Sequence, residues 1–251
     1  MKACVVLRPS ASKRLIAKAV AALPVVKRAQ ESGTVVITLG TTNAFVAEEL
    51  LRSPIDRDVY AAGFIDDRWN LNARIAEAKE IVLRDGRLVE IGPQELIDAL
   101  GAGDVVIKGG NALDPWGTVG VLLGAASGGT VGRYLPVALA RGVEIVIPIG
   151  LEKTIHTSVT DLATELGSGR IDLCSGFPAG MHPLVGRVVT EIDALETLFG
   201  VEAMQVAAGG VGEGTGSVSL LIKGEEKAVK AAFELVSTLM GEIDPQLRGQ
   251  T

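Results

Sequence analysis

The sequence predicts an α/β protein: a doubly wound, mainly parallel, Rossmann-like sheet followed by a C-terminal ferredoxin-like α+β unit. Through the first 150 residues, short runs of Val, Ile and Leu alternate with segments of helical periodicity, as in parallel sheets covered on both faces. After residue 187 the order becomes β-α-β-β-α, one strand short of a split βαβ unit. We expect the missing strand to come from the connector or from the N-terminus. The predicted divisions are 1–150, a loop-rich connector at 151–186, and 187–251.

The first unit is predicted element by element from its apolar pattern. Short β-branched or continuously apolar runs indicate strands at 2–7, 34–39, 58–64, 104–108, 119–123 and 143–149. Apolar residues at helical spacing indicate helices at 15–23, 43–51, 71–79, 93–100 and 130–141. Ser10 or Ser12 is expected to cap the first helix, and Pro24 to kink or end it. The Asp85–Gly86 pair predicts a hairpin within 80–91.

The second unit is predicted in the same way. Strands are expected at 187–192, 202–207 and 217–223, and helices at 193–199 and 225–240. Gly200 is expected to close the first of these helices. The glycine-rich string 209–216 lies between two strands rather than between a strand and a helix, so it predicts a hairpin loop and not a dinucleotide site.

Composition excludes several classes of function. The chain has 251 residues, a formal net charge of −6 and 4% aromatic residues, which disfavours nucleic-acid binding. Its two cysteines, Cys4 and Cys174, form no CxxC pair, so their spacing does not predict a zinc site. Cys174 and His182 offer a catalytic dyad or a metal site as alternatives, but a structural turn is favoured. The uncharged stretch 115–132 is rich in glycine and is interpreted as buried structure, not a membrane span. We therefore expect a cytoplasmic protein without metal, cofactor, nucleic acid or membrane.

The first candidate loop follows the strand at 34–39. It consists of Gly40, Thr41, Thr42 and Asn43 and precedes a predicted helix. Backbone amides at a helix N-terminus, together with nearby hydroxyls, favour an anion such as phosphate or carboxylate. The alternative is that Thr41 or Thr42 simply caps the helix.

Three further loops lie at comparable places, after the predicted strands at 104–108, 119–123 and 143–149. Their candidate residues are Lys108, Gly109, Gly110, Asn111 and Asp114 in the second loop; Ser127, Gly128, Gly129 and Thr130, with Arg133 beyond, in the third; and Lys153 in the fourth. Because ligands bind beyond the carboxyl ends of parallel strands, one sheet would bring several of these loops together. The alternative for the second loop is an ordinary turn, and for the third loop a helix cap. The alternative for the fourth loop is a solvated charge pair.

Three of these loops resemble motifs of the superfamily of ribose-5-phosphate isomerase, glucosamine-6-phosphate deaminase and CoA transferases. Gly40–Asn43 is similar to its phosphate loop, Gly109–Asp114 to part of its acidic motif, and Gly128–Gly129 to its glycine-rich loop. The resemblance covers about residues 30–155 and implies the fold and an anion-binding cleft. It does not imply the isomerase reaction, because Asn111 and the stretch 130–134 lack the family's carboxylates.

The sequence therefore predicts a protein that binds a small phosphorylated or carboxylated metabolite, such as a sugar phosphate or an acyl-CoA. If the chain is an enzyme, Asp114 is the predicted general base and Lys108 the predicted electrophile. The alternative is a non-catalytic sensor or assembly subunit with a decayed site. In either case we expect a homo-oligomer.

Overall fold

The computed structural model describes residues 1–71 and 79–246. The strands in this part are β1 (Lys2–Leu7), β2 (Thr34–Ile37), β3 (Ile81–Arg84), β4 (Arg87–Val89), β5 (Val105–Ile107), β6 (Ala112–Leu113), β7 (Val119–Leu123), β8 (Glu144–Pro148), β9 (Gly180–Leu184), β10 (Arg187–Val189), β11 (Glu202–Gly209) and β12 (Ser217–Lys223). The helices are α1 (Pro9–Ala22), α2 (Pro24–Ser32), α3 (Thr41–Leu51), α4 (Pro93–Ala99), α5 (Gly129–Arg141), α6 (Val159–Glu165), α7 (Glu191–Phe199) and α8 (Glu226–Leu239). Within these residues, no helix combines the length and apolar character that crossing a membrane requires.

The central sheet has six strands in the order β10-β8-β5-β2-β3-β4. The first four strands are parallel, and β3 and β4 add an antiparallel hairpin at one edge. Strands β2 and β5 are buried along their whole length, as expected of apolar strands in the middle of a covered sheet. The mixed α/β class is confirmed; the Rossmann-like double winding stays a prediction.

The hairpin predicted from Asp85 and Gly86 is confirmed. Both residues have a positive φ, 48° and 71°, as a tight turn between twisted antiparallel strands requires. Glycine adopts this conformation without a steric penalty.

The N-terminal strand belongs to the C-terminal unit. β1 pairs antiparallel with β12, which pairs antiparallel with β11, in a separate three-stranded sheet. The assignment of 187–192 to this unit is wrong, because β10 pairs in parallel with β8 of the central sheet. The N-terminus thus supplies one strand to this unit, but without β10 its sheet has three strands in the described residues, and the ferredoxin-like assignment stays a prediction.

Two local predictions are wrong. The segment 58–64 forms no regular strand; instead its buried Tyr60 donates a hydrogen bond through its hydroxyl to the Ile37 carbonyl at 2.7 Å. The first helix begins at Pro9 without a side-chain cap, so Ser10 and Ser12 lie inside its first turn. Most of the helix predicted at 71–79 falls outside the described residues.

The predicted connector contains more regular structure than loops alone. It holds α6 and β9, and β9 completes a small antiparallel sheet in the order β6-β7-β9. The division of the chain at residues 150 and 186 stays a prediction.

Candidate functional site

A cleft of about 510 Å³ lies beyond the carboxyl ends of β2, β5 and β8. This is the end of a parallel sheet at which ligands usually bind. Three of the four predicted loops line the cleft together. The predicted residues that they contribute are Gly40, Thr41, Thr42, Asn43, Lys108, Gly109, Gly110, Asn111 and Lys153.

The first loop forms an uncapped helix start. α3 begins at Thr41, and its N-cap residue is Gly40, which has no side chain that could accept a hydrogen bond from the first turn. The capping alternative is therefore not what the structure shows. The hydroxyl of Thr42 is buried and has no hydrogen-bond partner in the described part of the chain. The first backbone N–H groups of such a helix, with their partial positive charge, favour a negatively charged group.

Asn43 ties the loop to the sheet. Its Nδ2 donates to the Thr38 carbonyl at 2.8 Å and to the Ile107 carbonyl at 3.4 Å, so it bridges the ends of β2 and β5. Asn43 lines the cleft, and its Oδ1 is buried and has no donor among the described residues. A buried acceptor without a partner costs about 1–3 kcal/mol, so a donor from a ligand would be stabilising here.

Two lysines converge on the second loop. Lys108 donates to the Gly109 carbonyl at 2.8 Å, and Lys153 donates to the next carbonyl, that of Gly110, at 2.9 Å. Neither forms an ion pair within residues 1–71 and 79–246. Burial, with the charge of the Lys153 ammonium as a second cause, lowers the pKa of Lys108 to about 8. Burial also lowers the pKa of Lys153.

A third lysine reaches the cleft from α1. Lys13 is buried and forms an ion pair with Asp244 at 2.5 Å. Asp244 and Pro245 belong to the segment after α8, which passes along the rim of the cleft. The described lining residues thus carry three lysines and two acids, Glu152 and Asp244.

Two carboxylates lie at the fourth loop. Glu152 lines the cleft, and its buried Oε2 has no partner among the described residues. Glu191, the first residue of α7, is fully buried and accepts a hydrogen bond from the Leu151 N–H at 2.9 Å. Burial, with the negative charge of Glu152 as a second cause, raises the pKa of Glu191 to about 7.

The third predicted loop lines a second cavity, of about 390 Å³. Gly128, Gly129 and Thr130 face it, whereas Ser127 does not line it. The two cavities adjoin, because both are lined by Leu39, Gly63, Lys108 and Asn111. The rest of the second lining is largely apolar and includes Leu71, Val121, Leu122, Leu123, Val131 and Phe177.

Asn111 is held in place by the strand next to it. Its Oδ1 accepts a hydrogen bond from the Leu122 N–H at 3.0 Å, and its backbone N–H donates to Gly120. The side chain therefore has a fixed position at the junction of the two cavities.

Arg133 and Asp114 lie outside both linings. Arg133 is exposed and forms an ion pair with Glu80 at 2.8 Å. Asp114 is buried in the turn between β6 and β7, where its carboxylate accepts backbone hydrogen bonds from Trp116, Thr118 and Val159. Burial acts to raise the pKa of Asp114, but these hydrogen bonds together lower it below its usual value. The general-base role predicted for Asp114 therefore has no support in this arrangement.

Sequence reasoning missed Lys13 and the segment at 244–245. Lys13 lies three and four residues before Ile16 and Ala17, which places it on the buried side of α1. A charged residue on an apolar stripe is a signal that could have indicated it. No local pattern places Asp244 beside it, because the two residues are 231 positions apart.

Within the described residues, no group of three His, Cys, Asp or Glu side chains is arranged to hold a metal ion. The chain matches no protein-family model, no curated protein and no solved structure.

Proposed function

We propose that the protein binds a small phosphorylated or carboxylated metabolite in the cleft beyond β2, β5 and β8. The observation that carries the proposal is the pair of half-buried lysines, Lys108 and Lys153, which donate only to backbone carbonyls beside the uncapped start of α3. Among the described residues neither lysine forms an ion pair; the charges of Glu152 and Glu191 act on Lys153, whereas the charged neighbour of Lys108 is a second cation, Lys153. A cation that is partly withdrawn from water in this way favours an anionic ligand.

The unpartnered polar atoms support the same ligand class. The Thr42 hydroxyl can donate to an anionic oxygen, and the Asn43 Oδ1 can accept from a ligand hydroxyl. A hydroxylated anion, such as a sugar phosphate or a hydroxy acid, would satisfy both atoms. Asp114 has no part in this proposal, because its carboxylate is bound by backbone N–H groups away from the cleft.

The adjoining cavity leaves room for a longer ligand. Its apolar lining begins at the junction residues Lys108 and Asn111 and would accept the less polar part of an elongated molecule. Gly128, the N-cap residue of α5, and Gly129, its first residue, also line this space. The ligand class therefore includes metabolites with an anionic end and a longer body, such as acyl-CoA compounds.

A thermal-shift panel of sugar phosphates, CoA esters, nucleotides and small carboxylates tests this proposal. A ligand present at ~100 times its dissociation constant stabilises the fold by about 2.7 kcal/mol, which is readily measured. We expect at least one phosphate or carboxylate class to raise the melting temperature above a sodium chloride control of equal ionic strength. The shift should shrink in the Thr41→Val, Thr42→Val double variant.

The opposite result would be an absence of any shift across the panel. The amides of α3 would then be an ordinary solvated helix start, and the binding proposal would fail.

A further inference from the structure

We propose that Lys108 forms a covalent imine with an aldehyde or ketone group of the ligand whose anionic end occupies the cleft. This inference rests on the proposed function, because the anion would place the carbonyl group beside the lysine. It goes further by assigning a chemical step and the class of substrate, a carbonyl compound that also carries a phosphate or a carboxylate.

The position of Lys108 is the first argument. It follows β5, a central strand of the sheet, and its side chain lines both the cleft and the second cavity. Among the ionisable side chains of the described residues, Lys108 alone lines both spaces. A ligand with its anion at α3 and its body in the second cavity would have to pass this amine.

The contacts of Lys108 are the second argument. Its Nζ donates to one carbonyl, that of Gly109, and has no carboxylate partner in the part of the chain that the structure describes. Lys153 is bound to the neighbouring carbonyl of Gly110, so the two ammonium groups are held on the same short loop. A lysine that is withdrawn from water beside a second cation is the arrangement that favours a neutral, nucleophilic amine.

The ionisation of Lys108 agrees with this geometry. Burial, with the charge of Lys153 as a second cause, lowers the pKa of Lys108 to about 8. A substantial fraction of the amine is therefore neutral near neutral pH, unlike that of an ordinary surface lysine.

The step balances without another reactant. The lone pair of the neutral amine attacks the carbonyl carbon and forms a C–N bond, which gives a carbinolamine. The carbonyl oxygen then leaves with the two amine protons as water, and a C=N bond remains. Lys153 stabilises the anionic end of the bound compound and does not itself form the bond.

Borohydride trapping on the wild-type chain tests the proposal. The protein is incubated with dihydroxyacetone phosphate or with pyruvate, reduced, and examined by intact mass and peptide mapping. We expect one reduced adduct, with the mass of the ligand less one oxygen atom, located on Lys108, and at least tenfold less labelling with hydroxyacetone, which has the carbonyl but no anion. Inorganic phosphate should suppress the labelling.

The two probes distinguish the source of the anion. Labelling by dihydroxyacetone phosphate alone assigns a phosphate ester, labelling by pyruvate alone assigns a 2-oxo acid, and labelling by both supports the general class. Absence of a Lys108 adduct with both probes overturns the proposal, as does labelling that is equal on Lys108 and on the exposed Lys27 or that falls on Lys153.

Failure of the imine and failure of anion binding are separable. Binding of inorganic phosphate is measured by calorimetry on the same preparation. Phosphate binding without an adduct removes only the imine, whereas absence of both phosphate binding and any adduct removes the proposed function as well. In Lys108→Arg, which cannot form the imine, we expect the adduct to disappear, whereas Lys27→Arg, on the exposed face of α2, should keep both the adduct and the phosphate binding of the wild type.

Discussion

At the residue scale, the candidate site consists of polar groups that the fold leaves unsatisfied. Within the part of the chain that the structure describes, Thr42 and Asn43 are buried with one unpartnered oxygen each, and Lys108 donates only to the backbone. A protein that needed only stability would be expected to pair or replace such groups, because each costs free energy when it is buried alone. Their joint position in one cleft is the reason for assigning them to a ligand.

Thr42→Val separates binding from stability. Valine has nearly the shape of threonine but lacks the unpartnered hydroxyl, so we expect the free energy of unfolding to stay unchanged or rise by about 1 kcal/mol. Loss of a hydrogen bond to a charged ligand should weaken phosphate binding about tenfold. Urea denaturation and calorimetry check the two effects.

Thr238→Val is the matched control, because Thr238 is an exposed helical threonine whose hydroxyl donates to the Leu235 carbonyl at 2.7 Å. Its binding constant should equal that of the wild type. A Thr42→Val protein that is destabilised and still binds phosphate normally would contradict the account of this residue.

Glu191 gives the stability a dependence on pH. Its pKa is raised to about 7 in the folded state from an ordinary value near 4.5, because burial disfavours its charge. The folded state therefore binds more protons than the unfolded state between these values, and stability falls as the pH rises through this window. Glu191→Gln should remove this fall, which is on the order of 3 kcal/mol.

Urea denaturation at several pH values between about 4.5 and 8 measures the effect. Glu234→Gln, on the exposed side of α8, is the control and should keep the pH profile of the wild type. Identical profiles for Glu191→Gln and the wild type would show that the carboxyl does not titrate in this range.

At the scale of elements, local patterns predicted most helices and strands but not all of their partners. The turn at Asp85–Gly86 has a conformation that its own residues favour, so the hairpin could be predicted from them. The segment 58–64 has strand-like residues, yet the side chain of Tyr60 bonds to the end of β2 and no ladder forms. Tertiary contacts of this kind override local propensity.

The second loop contains two adjacent glycines with different requirements. A Cβ on Gly110 would meet Val119 Cγ1 at 2.2 Å, whereas a Cβ on Gly109 would meet no atom closer than 3.5 Å. Gly110→Ala should therefore lower the free energy of unfolding by about 1–3 kcal/mol through overpacking, and Gly109→Ala should leave it nearly unchanged.

Urea denaturation of the two variants checks this prediction, since each serves as the control for the other. Equal stability of the two alanine variants would contradict the close approach of the second loop to β7.

At the scale of the whole molecule, helix α1 and the segment after α8 meet at the cleft. β1 pairs with β12, and the segment after α8 returns along α1, where Arg14 binds Glu242 at 2.8 Å and Lys13 binds Asp244. No local pattern indicates contacts over such sequence separations. The loops after β2, β5 and β8 could therefore be predicted from the sequence, whereas the segment at 244–245 on the rim of the cleft could not. The homo-oligomer and the cytoplasmic location stay predictions.

Asp244→Asn should strengthen anion binding. Removing the carboxylate frees Lys13 for the ligand, and because an ion pair of this exposure is worth up to about 1 kcal/mol, we expect phosphate to bind a few-fold more tightly. Calorimetry measures the change. Glu202→Gln, which breaks the ion pair with Lys223 on the separate sheet, is the control. Weaker phosphate binding by Asp244→Asn would contradict the account of the rim.

The central claim is that the lysines beside α3 bind an anion, and the most direct test is the dissociation constant of inorganic phosphate for Lys153→Gln. We expect binding at least tenfold weaker than in the wild type, because the variant loses a charge-assisted contact in a partly desolvated site. Lys27→Gln, on the exposed face of α2, should bind as the wild type does. Equal dissociation constants for Lys153→Gln and Lys27→Gln would contradict the claim.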